Sequence, residues 1–255
     1  MATKDERWTT EQLVADLHRL GVGAGDLLMV HASLRAIGPV AGRAAGVVAA
    51  LEDAVGPGGT LLMTIGAPEG GAPFDAATTP ADPDVGVLAE VFRATPGTVV
   101  SDHPEGRFAA RGCHAGEFVS DVPWDDYYGP GSPLERFVER GGKVLRMGAD
   151  VDTTTVIHYA EYLADVPGKR RVRRHPLIVR QGGVETVVVE CLDDSDGIVD
   201  YPGPDYFGLI LADYLAGGLA SRGTVGGAAS ELLDAADLVR FAAQWMTERF
   251  GRLHR

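Results

Sequence analysis

The stretch "GADVDTTTVIHYAE", residues 148–161, concentrates residue types that do proton chemistry. A glycine, two aspartates and three threonines lead into a helical pattern that carries His158 and Glu161. With the helix starting near Thr153 or Thr154, positions 154, 155, 158 and 161 share one face. His158 then lies within the first two turns, where the positive end of the helix dipole disfavours an imidazolium and keeps the ring neutral, as a general base requires. A carboxylate on the other ring nitrogen would fix the tautomer and stabilise the charge as a proton arrives. Glu161, three residues on, is one such partner, and an acid from elsewhere in the chain is another. A threonine cap with a packed histidine explains the same residues without any chemistry.

Three other groupings carry functional residue types. In "VHASLRAIG", His31, Ser33 and Arg35 follow an apolar strand, and strand ends are where α/β sheets receive ligands. Backbone N–H groups of such a turn, with Ser33 and Arg35, suit phosphates or a pantetheine chain. A plain capping turn is the competing reading. "SDHPEGRFAARGCH" brings Ser101, His103 and His114 into a loop without the tight cluster a metal needs. Acids recur in loops: Glu69, Asp75, Asp82, Asp84, Asp125, Asp126 and the run "DDSD" at 193–196. Each one alone reads as a solvated charge, whereas several converging on His158 would make a pocket for a polyamine.

These residues need elements to hold them, and helix and strand signals alternate along the 255 residues. "TTEQLVADLHRLG" opens on a threonine cap, repeats Leu13, Leu17 and Leu20 at helical spacing, and stops at Gly21. "DLLMVHASL" reads as a buried strand, "GRAAGVVAALEDAVGPGG" as a helix, and "TLLMTIGA" as a strand. The Pro-, Gly- and Asp-rich segment "APEGGAPFDAATTPADPDVG" is too long for an ordinary connection and reads as a functional loop. Helix "VGVLAEVFRAT", strand "TVVSD", loop "HPEGRFAARG", helix "SPLERFVERGG" and strand "KVLRMGA" follow. "VRRHPLIVRQGGVETVVVECL" alternates like a hairpin, and "DYFGLILADYLAGG" and "SELLDAADLVRFAAQWMTERF" read as helices. The expectation is an α/β fold: a central mostly parallel or mixed sheet flanked by helices, with a smaller β-rich region after residue 172, in one domain spanning 1–255.

Composition narrows the function classes. A net charge of -13 argues against nucleic acid, whose binding begins with phosphate neutralisation, and favours a cationic ligand. The cysteines, Cys113 and Cys191, form no disulfide framework. The polar start "MATKDERWTTEQL" has no signal-like apolar core, and no apolar run approaches the roughly 20 residues that cross a bilayer, so a cytoplasmic, membrane-free protein is expected.

Taken together, "VHASLRAIGPVAG", "VGPGGTLLM", "PFD…TTP…PDVGVL", "SDHPEGRFAARG", "GPGSPLERF", "DTTTVIHYAEYL" and "VGGAASELLDAADLVRFAAQW" resemble the aminoglycoside 3-N-acetyltransferases in order and spacing, from about residue 10 to the end. The resemblance implies transfer of an acetyl group from acetyl-CoA to the 3-amino group of a 2-deoxystreptamine antibiotic, and hence resistance. It implies His158 as the general base, Asp193 as its acidic partner, and Thr155 beside the thioester. It also implies coenzyme A contacts from His31, Ser33, Leu34, Arg35, Ser101, His103 and Thr154. On the antibiotic side it implies Asp75, Asp84, Asp152, Glu161 and Asp196, with no metal. The partners are then a polycationic aminoglycoside and coenzyme A. The alternative is an acetyl-CoA-dependent N-acetyltransferase of the same fold acting on another amine in a biosynthetic pathway. Two rivals from other classes are a metal-dependent hydrolase using His103, His114 and His158, and a non-catalytic protein that sequesters cationic drugs.

Overall fold

The structure is a computed structural model that describes residues 7–68, 70 and 72–251. Helix α1 (Thr10–Leu20) begins at a reciprocal cap: the Thr9 hydroxyl accepts from Gln12 N, and the Gln12 side chain accepts from Thr9 N. It ends at Gly21, whose φ of 112° an L side chain resists. Strand β1 (Leu27–Ala32) follows, then the single-turn helix α2 (Leu34–Ile37), helix α3 (Arg43–Val55) and strand β2 (Thr60–Thr64). Beyond the long loop come α4 (Val87–Ala94), β3 (Val99–Val100), β4 (Phe108–Gly112), α5 (Pro133–Glu139) and β5 (Lys143–Met147).

Helix α6 (Ile157–Leu163) carries His158 and Glu161. Four short strands succeed it: β6 (Arg171–Arg174), β7 (Leu177–Arg180), β8 (Gly183–Thr186) and β9 (Val189–Leu192). Helix α7 (Tyr206–Ala216), strands β10 (Ser221–Val225) and β11 (Ala228–Asp234) and helix α8 (Ala235–Phe250) complete the chain.

Seven strands form one mixed sheet in the order β10-β11-β5-β1-β2-β4-β3. Strand β1 runs parallel to both β2 and β5, while every other neighbour in the sheet is antiparallel. The strands alternate their apolar side chains between two packed cores. Leu28, Val30, Leu61 and Met63 face Leu17, Leu51 and Phe92 of α1, α3 and α4. Met29, Leu62 and Val144 face Phe137, Ile157, Tyr214 and Met246 of α5 to α8. Because β2 and β5 flank β1 on opposite sides, the carboxyl ends of these three parallel strands come together at a switch in strand order, the place where α/β sheets receive ligands.

Four sequence expectations are corrected. The segment "HPEGRFAARG" is not all loop, since β4 lies in it, with Phe108, Ala109 and Ala110 fully buried between β2 and β3. Its flanking glycine and arginines hid a strand only three apolar residues long. "SELLD" is strand, not the start of the last helix: β11 pairs with β5, and α8 starts only after Asp234, whose carboxylate caps Asp237 N at 2.8 Å. The hairpin after residue 172 is interrupted, so that β6 pairs with β9 and β7 with β8 as two separate ladders. The break falls at His175-Pro176, where proline has no N–H to give a ladder. Finally, α6 starts at Ile157 rather than near Thr153. A tight i to i+3 turn precedes it, with Ile157 N on Thr154 O and His158 N on Thr155 O, both at 3.0 Å.

Candidate active site

The site at the parallel strand ends is built from the backbone outward. Arg146, buried on β5, donates its Nη2 to the carbonyls of Ala149 (3.0 Å) and Asp150 (2.6 Å), which folds the chain sharply after the strand. Gly148 has a φ of 62°, and a Cβ there would stand 2.3 Å from Ala36 Cβ. The absence of that carbon lets the turn after β5 press against the turn after β1. Thr155 is drawn towards the end of β2: Thr64 Oγ1 donates to Thr155 Oγ1 at 3.1 Å. Thr154 is buried with its hydroxyl unpaired, and the Nε2 of buried His31, at the end of β1, is also unpaired. Unpaired buried polar atoms at strand ends suit a ligand that supplies their partners.

His158 sits beside this turn, 19% exposed, with Nδ1 2.8 Å from Glu161 Oε2. Its ring lies parallel to that of Tyr128, centroids 5.0 Å apart, and leans on Phe207 at 4.6 Å. Glu161 is 1% exposed, and its second oxygen accepts from the hydroxyl of Tyr206. Tyr206 in turn accepts from Ile198 N at 2.9 Å. The carboxylate therefore meets a donor on each oxygen, which is what a buried charge requires. Glu161 holds the Nδ1–H tautomer, leaving Nε2 as the basic nitrogen.

The electrostatics differ from the dipole argument. Burial pulls the His158 pKa down, but the hydrogen bond and charge of Glu161, with Asp194 and Asp205 adding, outweigh it and raise the pKa above its ordinary 6.5. The helix that was to keep the ring neutral is only seven residues long and begins one residue before His158. The adjacent carboxylate is the stronger influence. His31 shows the opposite case: burial, then the charge of Arg146, push it down to about 3.

Several expected site residues are used elsewhere. Asp193 does not partner His158: its Oδ2 accepts from Arg170 Nε at 2.7 Å, and its Oδ1 accepts from the backbone N–H groups of Ser195 and Asp196. Glu161 takes that place, because i to i+3 spacing on α6 brings it to the ring. Ser101 is fully buried, donating to Gly106 O and accepting from Phe108 N. His103 has both ring nitrogens engaged, Nδ1 by Glu105 N and Gly106 N and Nε2 by Trp124 O. These two side chains close their own loop and have no free polar atom for coenzyme A. Ser33 caps α2 by accepting from Ala36 N at 3.3 Å, Leu34 lines a small hollow with Arg7 and Arg43, and Arg35 is exposed.

A cleft of about 570 Å³ opens between the long loop and the β6–β7 junction, and its acids among the described residues are Asp82, Glu105 and Asp194. None of Asp75, Asp84, Asp152 or Asp196 lines it. Asp75 closes a turn on Ala77 N, Asp84 and Asp152 are exposed, and Asp196 borders a separate opening with Arg170 and Tyr201. Glu69 lies outside the described residues. The cleft is joined to His158 through its wall: Tyr127 lines it, and the next residue, Tyr128, stacks on the imidazole. His114 pairs with Glu117 at 2.9 Å, away from His158. Among the described residues no group of three or more His, Cys, Asp or Glu is arranged to hold a metal ion, and no helix is long and apolar enough to cross a membrane.

Sequence reasoning missed four supporting residues. Tyr206, behind Glu161, follows the Asp205 helix cap in "GPDYFGL", and that cap was its only local signal. Phe207, whose N–H that same cap holds, shares the signal, whereas Tyr128, which stacks on His158, has none. Arg107 is fully buried and grips the long loop through the carbonyls of Gly66 (2.9 Å), Thr79 (2.6 Å) and Pro80 (2.6 Å). Burial and the charge of Arg93 lower its pKa to about 10.

The sequence model of the aminoglycoside 3-N-acetyltransferase family matches residues 29–247. Aminoglycoside N(3)-acetyltransferase VII of Streptomyces paromomycinus is 40% identical over 96% of this chain and 93% of its own. The solved structure of AAC-IIIb in binary complex with CoASH superposes with a TM-score of 0.93 at 39% identity, covering 96% of this chain and 98% of that one. AAC-VIa bound to sisomicin superposes with a TM-score of 0.90 at 38% identity, covering 96% of this chain and 99% of that one.

Proposed function

The chain belongs to the aminoglycoside 3-N-acetyltransferase family and is an acetyltransferase, and from that premise we propose that His158 is its general base in direct transfer from acetyl-CoA to the 3-amino group of a 2-deoxystreptamine antibiotic. The observation that carries the reading is the Tyr206–Glu161–His158 chain, which leaves one basic imidazole nitrogen directed by a buried carboxylate.

In this mechanism the uncharged amine nitrogen bonds to the acetyl carbonyl carbon while its surplus proton passes to His158 Nε2. Glu161 stabilises the imidazolium that forms. Thr155 accepts its hydrogen bond from Thr64, so its own hydroxyl hydrogen is available to the developing oxyanion or to the departing sulfur. The carbon–sulfur bond then breaks, the electron pair stays on sulfur, and the imidazolium returns its proton to the thiolate. A cysteine acyl-enzyme is disfavoured. Cys191 is buried and pushed up to about 11, while Cys113 lies beside Gly58 O and Thr60, at the end of β2 opposite Thr64.

The turn after β1, with His31 and Ser33, together with Thr154, supports binding of coenzyme A, and the acids of the 570 Å³ cleft support binding of a polycation. Both cores share one sheet, which supports taking residues 1–255 as one functional unit. A resistance role follows from the reaction, because acetylation removes an ammonium charge from the drug. The test is thiol release from acetyl-CoA with a panel of aminoglycosides, wild type beside His158→Ala. Turnover restricted to substrates with a free 3-amino group, and lost in the variant, is the expected result. Turnover surviving in His158→Ala would move the chemistry to another residue.

A further inference from the structure

The cleft that should receive a polycation contains a cation of its own. Arg174, the last residue of β6, lines the cleft 24% exposed and has every nitrogen engaged. Its Nη2 donates to Asp194 Oδ1 and to Ser195 Oγ (2.9 Å), its Nη1 to Tyr127 Oη (2.7 Å), and its Nε lies 3.7 Å from Glu105 Oε2. The other oxygen of Asp194 accepts from Tyr127 Oη at 2.5 Å. Two of the three described cleft acids are thus already paired with a guanidinium. The third, Asp82, makes no ion pair among the described residues.

We propose that Arg174 is a specificity-determining residue that occupies the seat of a substrate ammonium, so that the Asp194–Glu105 side of the cleft selects a hydroxyl-bearing sugar ring and leaves Asp82 to receive the drug's charge. The inference rests on the antibiotic reading above. A second ammonium placed there would meet the guanidinium and find both Asp194 oxygens engaged, a like-charge penalty without a compensating ion pair. A hydroxyl meets neither problem, since it can donate to a remaining carboxylate lone pair and accept from Ser195. The planar fork that holds Tyr127, Asp194 and Ser195 together also makes displacement of Arg174 by the substrate unfavourable.

The test uses several pairs of 3-amino aminoglycosides, each pair differing by one ammonium-for-hydroxyl exchange at a different ring position. The ratio of kcat/KM within each pair is measured in wild type, Arg174→Gln and Arg174→Lys. At least one pair should favour the hydroxyl congener in wild type, the preference should fall by about tenfold in Arg174→Gln, and Arg174→Lys should keep it. If Arg174→Gln does not fold, Asp194→Asn should move the same ratio the opposite way, because Arg174 then stands less compensated. Both readouts are ratios, so a common effect of Asp194 on His158 cancels. Ratios unchanged within about twofold in every pair, with turnover intact, overturn this inference alone. Absence of wild-type turnover with every 3-amino substrate overturns the antibiotic reading and this inference with it.

Discussion

Replacing Glu161 with glutamine removes one charge from the centre of the site while keeping its shape, and its consequences can be worked through atom by atom. Glu161 is 1% exposed, accepting from His158 Nδ1 on one oxygen and from Tyr206 on the other. An amide has only one accepting oxygen. Turned to His158, its NH2 faces a phenol oxygen that already accepts from Ile198 N, and the Tyr206 proton loses its acceptor. Turned to Tyr206, its NH2 faces the Nδ1–H, and the ring is driven towards the wrong tautomer. Losing a hydrogen bond to a charged group is worth about 1.5–3 kcal/mol, or roughly 10- to 150-fold in rate. The pH dependence gives the sharper signature. Glu161 is the largest of the influences raising His158, and burial opposes it. With the carboxylate gone, burial remains and the pKa falls. In kcat/KM profiles from thiol release, Glu161→Gln should therefore lower the plateau by about a hundredfold and move the acid limb to lower pH. The substrate amine titrates identically with both proteins, so a difference between them belongs to the enzyme. An acid limb that stays in place or rises would refute the assignment of Glu161 as the source of the raised pKa.

Tyr206→Phe should act in the opposite sense on pH. Glu161 loses a competing donor and presents more of its charge to His158, so the acid limb should rise while kcat/KM falls about three- to thirtyfold, and a downward shift would contradict this. Stability should fall on acidification below about pH 6.5. Buried His31 and His103 are lowered to about 3 and about 4, so between about pH 6 and 4 the unfolded chain binds more protons at these sites than the folded one, nearly two more around pH 5, where the slope is about 2.5 kcal/mol per pH unit. His158 has a raised pKa, so it favours the folded state below pH 6.5 and loses that contribution only as pH rises through its folded value. Urea unfolding at pH 6.5, 5.5 and 4.5 reads the slope, which His103→Gln should flatten. Arg107→Lys cannot reproduce the fork that grips Gly66, Thr79 and Pro80, so antibiotic KM should rise about tenfold with kcat within about twofold. A fall in kcat alone would place Arg107 outside substrate binding.

Local patterns account for a large part of the fold. The Thr9 cap and Gly21 stop of α1, the apolar runs of β1, β2 and β5, and the spacing of His158 and Glu161 are all legible because each follows from interactions within a few residues. A short strand such as β4 is not, since its buried Ala109 and Ala110 acquire meaning only from the neighbours on either side. The extension of α8 back over "SELLD" fails for a related reason: a half-buried strand and an amphipathic helix look alike over five residues, and only pairing with β5 separates them.

For the site, residue order alone supplies the chemical inventory: a histidine with an acid three residues on, threonines before it, strand-end turns and an excess of acids. Tertiary structure decided which of these meet. It gave Asp193 to Arg170, closed Ser101 and His103 on their own loop, and brought Tyr206 in behind the Glu161 carboxylate from 45 residues away. A buried charge must find its donors wherever the fold supplies them, and donors that arrive from far along the chain, as Arg170 does for Asp193 and Tyr206 for Glu161, leave no local signal.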